Sequence, residues 1–459
     1  MADKLYRPWS PDQVFLLPPS MRAWLPEDHL VHFVMDVVAG LDLSSIERVL
    51  QQKDHRGERP WNPRMMVALL FYGYCLGVRS SRRLEKATYE DVAFRLLTGD
   101  AQPDHSSIAE FRKAHLTALS SLFLDILRLC EKAGMVKLGR VALDGTKMKA
   151  NASKHKAMSY LRMKQREAEL QAEIAAMLAE AGATDAEEDA LHGRDKRGDE
   201  LPSELRRRQD RLKKIQEARE TLEAEAKAAR AAELAEREQS KQVPPENPPA
   251  PELPSHQVRH DAAGNPAEDA QRNFTDSDSR IMKSGKDFVQ AYNAQAVVDE
   301  GEQVIVATGL TNQASDAQHL PAMLAAIEGN LGTRPVQTLA DAGYYSADNA
   351  ARCERLGTDA LISIAREKHV LDDGPSPWPT GDPRAAMHEN LRSVTGAAAY
   401  RRRKCIVEPV FGQIKEARGI RRFLLRGLQN VRGEWNLICL THNLLKLFRF
   451  TQRSAFAAA

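Results

Sequence analysis

Paired cysteines, long apolar runs and net charge are all scarce in this chain of 459 residues. The five cysteines, Cys75, Cys130, Cys353, Cys405 and Cys439, lie far apart and form no CxxC pair. That excludes a zinc ribbon and a disulfide scaffold, and it fits a reducing cytoplasm. The longest apolar stretch, MMVALLFYGYCLGV at 65–78, is too short to cross a bilayer and reads as a buried core helix. The opening MADKLYRPWSPDQ has no apolar core, so no signal peptide is expected there. A soluble cytoplasmic protein without a membrane partner follows as the expectation. With 65 basic and 63 acidic residues the formal charge is +2, a total that is silent about polyanionic partners. The length allows two or three domains with sizeable cores.

What is present is organised along the chain. Residues 1–135 carry helical periodicity in DHLVHFVMDVVAGL, PRMMVALLFYGYCLGV and LTALSSLFLDILRLCEKAG. Within PDHSSIAEFRKAH, Ser107 and Glu110 have capping-box spacing, which predicts a helix start at Ser107. From 155 to 240 the composition turns to Ala, Glu, Lys, Arg and Gln, with Leu205, Leu212, Ile215 and Leu222 on a heptad-like stripe interrupted by Arg208 and Arg219. Two long helices in an antiparallel, coiled-coil-like arm fit this pattern, with the turn at 182–202. Residues 241–272, containing VPPENPPAPELP, read as a flexible Pro-rich linker. Beyond it come two strands about a polar turn at 299–302, a helix in DAQHLPAMLAAIEGN, a strand in PVQTLADAGYY and another in DALISI. Two helices, at about 398–418 and 431–450, close the chain.

The stretch GRVALDGTKMKAN, 139–151, holds the first chemical clue. Residues 140–143 read as a short buried strand ending on Asp144. A second strand, at 336–341, also ends on a carboxylate, Asp341. If the two strands are neighbours, both acids emerge at one sheet edge, where two anions need a cation between them. Hard oxygen ligands suit Mg²⁺, which accepts one or two carboxylates and keeps waters or phosphate oxygens in its other positions. A third acid, Glu408, stands in YRRRKCIVEPVFGQIKEARGIRRFLLRG. Arg401, Arg402, Arg403, Lys404, Lys415, Arg418, Arg421, Arg422 and Arg426 surround it, and Ile406, Val407, Val410, Phe411 and Ile414 form its apolar side. Those cations read as a phosphate-binding surface. Taken singly, each feature has a plainer meaning: a strand-terminal Asp is more often a cap or turn residue, and a basic helix is often a solvated face. His319 and Asn312 are expected to be structural, and Trp435, Cys439 and His442 to be core.

In their order, Asp144, Asp341 and Glu408 resemble the acids of the DDE transposases of bacterial insertion sequences. The segments ALDGTKMKANAS, ADAGYYS, VEPVFGQIK and PDHSSIAEFRKAH are similar to that family. The resemblance implies an α/β fold: an RNase H-like mixed sheet flanked by helices over 136–154 and 273–459, an all-α DNA-binding domain over 1–135, and the 155–240 arm as an insertion. It implies a DNA transposase in which Asp144, Asp341 and Glu408 hold two Mg²⁺ ions, with Mn²⁺ as a substitute. Its partners would be double-stranded DNA, both inverted-repeat ends and target, and a second copy of the chain in a dimeric DNA complex at the nucleoid. Arg401, Arg403, Lys404, Lys415, Arg418, Arg421 and Arg422 would contact DNA. The family often shows Tyr, two residues, Arg, three residues, Glu, six residues, Lys. Lys415 fits that spacing, but Lys404 takes the Arg place and Arg401 the Tyr place, with Tyr400 one position early. A metal-dependent nuclease without strand transfer, or a domesticated DNA-binding protein that no longer cuts, are the alternative readings.

Overall fold

The computed structural model describes residues 20–52, 59–192, 203–239, 251–364, 378–379 and 381–458. The chain divides into two compact units, one of residues 1–125 with 444–459 and one of residues 126–443.

The first unit is helical. It contains α1 (Leu30–Gly40), α2 (Ser44–Gln51), α3 (Pro63–Cys75), α4 (Ser81–Glu90), α5 (Val92–Thr98), α6 (His105–Ala114) and the start of α7 (Leu116–Lys132). The apolar run that is too short for a membrane is α3, buried from Met66 to Cys75. Asn62 caps it by accepting from the amides of Arg64 and Met65, and Pro63 occupies the first turn, where its missing N–H costs nothing. The expected helix start at Ser107 is displaced by one turn. Asp104 is the N-cap of α6, accepting from Ser106 N at 2.8 Å and Ser107 N at 3.0 Å. Ser107 sits inside the first turn and bonds back to the Asp104 carboxylate. A carboxylate at the N-cap also suits the positive end of the helix dipole.

The second unit is built on a mixed sheet. Its strands are β1 (Arg140–Lys149), β2 (Ala157–Ser159), β3 (Gln271–Asn273), β4 (Arg280–Ser284), β5 (Asp287–Asp299), β6 (Ile305–Thr311), β7 (Gln337–Ala340) and β8 (Asp359–Ile362). Among the described residues, six of them form one sheet in the order β4-β5-β1-β7-β8, with β6 also on β5. β1 runs antiparallel to β5 and parallel to β7, and β7 runs parallel to β8. This is the mixed, helix-flanked sheet expected of an RNase H-like core. Residues 141–143 of β1 and 296–298 of β5 are buried apolar stretches at the centre of the sheet.

The helices of this unit are α8 (Tyr160–His192), α9 (Ser203–Gln239), α10 (Leu320–Leu331), α11 (Ala347–Arg355), α12 (Pro383–Arg392), α13 (Val394–Gly412) and α14 (Leu428–Ala458), the last continuing into the first unit. α8 runs through His192, past the expected turn at residue 182, and 193–202 lie outside the described residues. α8 and α9 pack on each other through Met163, Leu170, Ile215, Leu222 and Ala226. The arginines that interrupt the stripe pair across it, Arg208 with Glu173 at 2.9 Å and Arg219 with Glu167 at 2.9 Å.

The linker expectation for 241–272 needs correction over its second half; 241–250 lie outside the described residues. Val258 and Ala270 pack into the α8–α9 core. Asn312 accepts from His256 N at 2.8 Å, and Asp261 accepts from Ala263 N and Asn265 N at 2.8 Å each. Apolar side chains at the right places dock this stretch despite its polar composition.

Candidate active site

Asp144 does not end its strand. β1 continues through Lys149 because β5 is long enough to pair with it throughout, with Asp144 opposite Ala296. Only the parallel half stops early: Ala142 pairs with Leu339, so Asp144 and Asp341 each stand two residues beyond that pair. Two neighbouring strands thus deliver two carboxylates in register to one edge. Asp144 Oδ1 accepts from Gly145 N at 2.8 Å, and Asp144 Oδ2 lies 3.3 Å from Arg403 Nη1. Burial pushes the Asp144 carboxyl up to about 6; Arg403 opposes that shift, and Asp341 and Asp316 add to it. Asp341 caps the short turn Ala342–Tyr344, accepting from Gly343 N at 2.9 Å.

The third acid comes from α13, which packs against β1, β5 and β7. Its buried residues, Ala399, Arg403, Ile406, Val407, Val410 and Phe411, recur at helical spacing, so Arg403 sits on the apolar stripe at 6% exposure. Pro409 inside the helix cannot donate to the Cys405 carbonyl, and Gln303 Nε2 takes that carbonyl at 2.9 Å. Glu408 is exposed. Among the described residues no group of three His, Cys, Asp or Glu side chains converges on a metal-sized site. Asp144 and Asp341 share one edge, and Glu408 does not join them in such a group. A pair of carboxylates still fits the donor chemistry of a hard divalent cation.

After Gly412 the helix widens into a π-helical stretch, Gln413–Ala417. An α-helical face count from Glu408 does not carry across it. Lys415 turns toward β1 and donates to Thr146 Oγ1, two residues from Asp144 on the same strand face. Desolvation lowers the Lys415 pKa, with Arg421 adding to the shift and Glu416 and Asp144 opposing it.

A family model described as "Transposase DDE domain" matches residues 255–444, and one described as "Transposase domain (DUF772)" matches residues 19–114. The chain belongs to the insertion-sequence DDE transposases. Comparison with curated proteins and with solved structures gave no significant match. Asp341 and Glu408 fall inside the first matched stretch; Asp144 precedes it, with α8 and α9 between. DDE transposase domains use divalent metal ions.

Against the family spacing, the tyrosine and arginine keep their mutual distance and move together one place upstream. Arg403, not Lys404, reaches Asp144, and its guanidinium lies 6.0 Å from the Tyr400 ring centroid. Two of the proposed DNA-contacting arginines are therefore misassigned as surface residues. Arg403 is buried against Asp144, and Arg418, at 8% exposure, bonds to Ile438 O at 3.1 Å and Thr441 Oγ1 at 2.6 Å. Arg401, Lys404, Arg421 and Arg422 remain exposed, with Arg421 bonded to Glu416. Phe423 N donates to Lys149 O at 2.9 Å and Asn151 Nδ2 to Leu424 O at 2.7 Å, which fastens the 421–424 segment to the end of β1.

The other face of the same edge holds a polar network around Asp316. Gly145 and Lys147 alternate away from Asp144 and face Gln295 and Asn293 across the ladder. Asp316 accepts from Asn293 Nδ2 at 2.6 Å and Gln295 Nε2 at 2.9 Å, and lies 3.3 Å from Lys147 Nζ. Tyr344, fully buried, donates to Gln295 Oε1. Desolvation raises the Asp316 carboxyl, but His319, Lys147 and Asn293 overcome it and hold the group at about 2. At 3.5 Å the His319 ring is a looser partner than the two amides. His319 is buried and serves this network, as a structural residue would. Asn312 bonds His256 and Asp278 O, and Trp435, Cys439 and His442 are core. Asn293 and Gln295 were the available signal, since polar residues buried within a strand require partners.

Proposed function

We propose that this transposase cuts the ends of its element and joins them to target DNA at the edge formed by Asp144 and Asp341, with Mg²⁺ as its metal and Mn²⁺ as a substitute. The observation that carries the reading is the register of those two carboxylates on adjacent parallel strands. Asp144 and Asp341 would hold the ions, two of them in the full site, and Glu408, from the helix packed over the same sheet, would complete the set. A divalent cation held there supplies Lewis-acid stabilisation of the charge that builds on the scissile phosphate. The chain's own part is positioning. Lys415, anchored on Thr146, and the exposed Arg401, Lys404, Arg421 and Arg422 would grip backbone phosphates, which sets the DNA's place without reading its sequence. Recognition of element ends belongs in this reading to the helical first unit, and a dimer of the chain would pair two ends.

Asp144→Asn, Asp341→Asn and Glu408→Gln are each expected to abolish cleavage of an end-containing duplex while end binding persists. The assay should resolve nicked from joined products, since joining distinguishes a transposase from a nuclease. Near-normal cleavage by any one variant would remove that residue from the site.

A further inference from the structure

Both oxygens of Asp144 are already engaged. Gly145 N holds Oδ1, and the Arg403 guanidinium lies against Oδ2. Arg403 is an arginine on the buried stripe of a helix whose neighbouring cations, Arg401, Arg402 and Lys404, are exposed. At 6% exposure it is not placed to meet a phosphate from solvent. Its cation offsets the charge of an acid that has lost most of its water and has two other aspartates, Asp341 and Asp316, within electrostatic range. The 3.3 Å separation is longer than the roughly 2.7–2.9 Å of a tight charge-assisted bond, so this pair is not locked. A divalent ion on the same carboxylate oxygen would stand within a few ångströms of the guanidinium, and like charges that close repel strongly in a site with little solvent.

We propose that Arg403 is a surrogate cation: it neutralises Asp144 while no divalent ion is bound, and metal entry requires its guanidinium to release the carboxylate. The inference rests on the reading of Asp144 as a metal ligand. It makes Arg403 a positioning residue that competes with metal rather than a DNA contact. Competition has a measurable sign, because removing the competitor must tighten metal binding even as it leaves the carboxylate less well paired.

The test is Mn²⁺ binding to the full chain without DNA, followed by the loss of the free-ion paramagnetic resonance signal. Arg403→Gln is expected to bind Mn²⁺ at least tenfold more tightly than the wild type. Arg403→Lys, which keeps the charge but forfeits the planar fork, should fall between them. Unchanged or weaker binding by Arg403→Gln overturns the proposal, as does the absence of binding in both it and the wild type. Should Arg403→Gln fail to fold, the order of Arg403→Lys and wild type decides alone. The double variant Asp144→Asn/Arg403→Gln separates the two levels. Loss of the gained affinity supports competition at Asp144, whereas gained affinity that survives in the double variant overturns Asp144 as a metal ligand and the competition with it.

Discussion

Lys415 Nζ is hydrogen-bonded to Thr146 Oγ1, two residues along the strand from Asp144 and on the same face of the sheet. The contact brings a partly desolvated ammonium beside the carboxylate edge instead of leaving it in solvent. It exists because Gln413–Ala417 is π-helical, which resets the helix phase just where the side chain is needed. Lys415→Ala is expected to weaken binding to an element end and to reduce the salt slope of log affinity by about one unit. Titrations at several salt concentrations measure it. An unchanged slope with unchanged affinity would mean that Lys415 merely braces Thr146.

Gly145 is where the two faces of the edge meet. A Cβ built on it would lie 2.3 Å from Gln295 Nε2 and 3.1 Å from Asn293 Oδ1. Gln295 and Asn293 bond Asp316, and Gln295 also bonds Tyr344, so neither amide can retreat freely. Gly145→Ala is expected to cost about 1–3 kcal/mol in stability through overpacking. The displacement of β1 beside Asp144 should slow cleavage by on the order of 100-fold. Urea denaturation and single-turnover cleavage would show both, and a variant as active as wild type would mean that the amides have room to move.

Much of this was legible in the sequence, for reasons that differ by residue. The alternating and continuous apolar runs of β1, β5 and β7 announce themselves, and Ile406, Val407, Val410, Phe411 and Ile414 mark the buried stripe of α13. The same stripe carried back to position 403 reaches the buried arginine, but its charge reads as that of a surface residue. Lys415 was found by spacing, although its direction depends on a π turn that no periodicity announces. The partners of Asp316 come from separate segments, and only the sheet register brings Lys147, Asn293 and Gln295 together. The helix start at Asp104 was lost to local competition between two good caps, which composition alone does not rank.

Asp316 is held by charge as well as by amides. Its folded pKa, about 2, is depressed from 3.8, so its stabilising contribution is fully present above about pH 4 and is lost as pH falls toward 2. The shift corresponds to about 2 kcal/mol. Asp316→Asn should therefore lower stability by about that amount at pH 7, with wild type and variant converging only as pH falls to about 2. Denaturant melts at the two pH values test this. A constant difference across the range would assign the effect to the amide bonds rather than to the carboxylate charge.

Asp144 has the opposite sign. Burial raises its folded pKa from 3.8 to about 6, so between those values the folded chain holds a proton that the unfolded chain has lost. Stability must then decline as pH rises through that window, by up to about 3 kcal/mol, and stay level above it. Other groups titrate in the same range, so the quantity to measure is the difference between wild type and Asp144→Asn. That difference cancels the groups that do not interact with Asp144, and Arg403 stays cationic in both across the window. The wild type is expected to lose ground against the variant between about pH 4 and pH 6 in metal-free buffer. A difference that is flat from pH 4 to pH 7 would mean that Arg403 pairs with Asp144 tightly enough to cancel the burial, and it would make the carboxylate an ordinary anion in the folded chain.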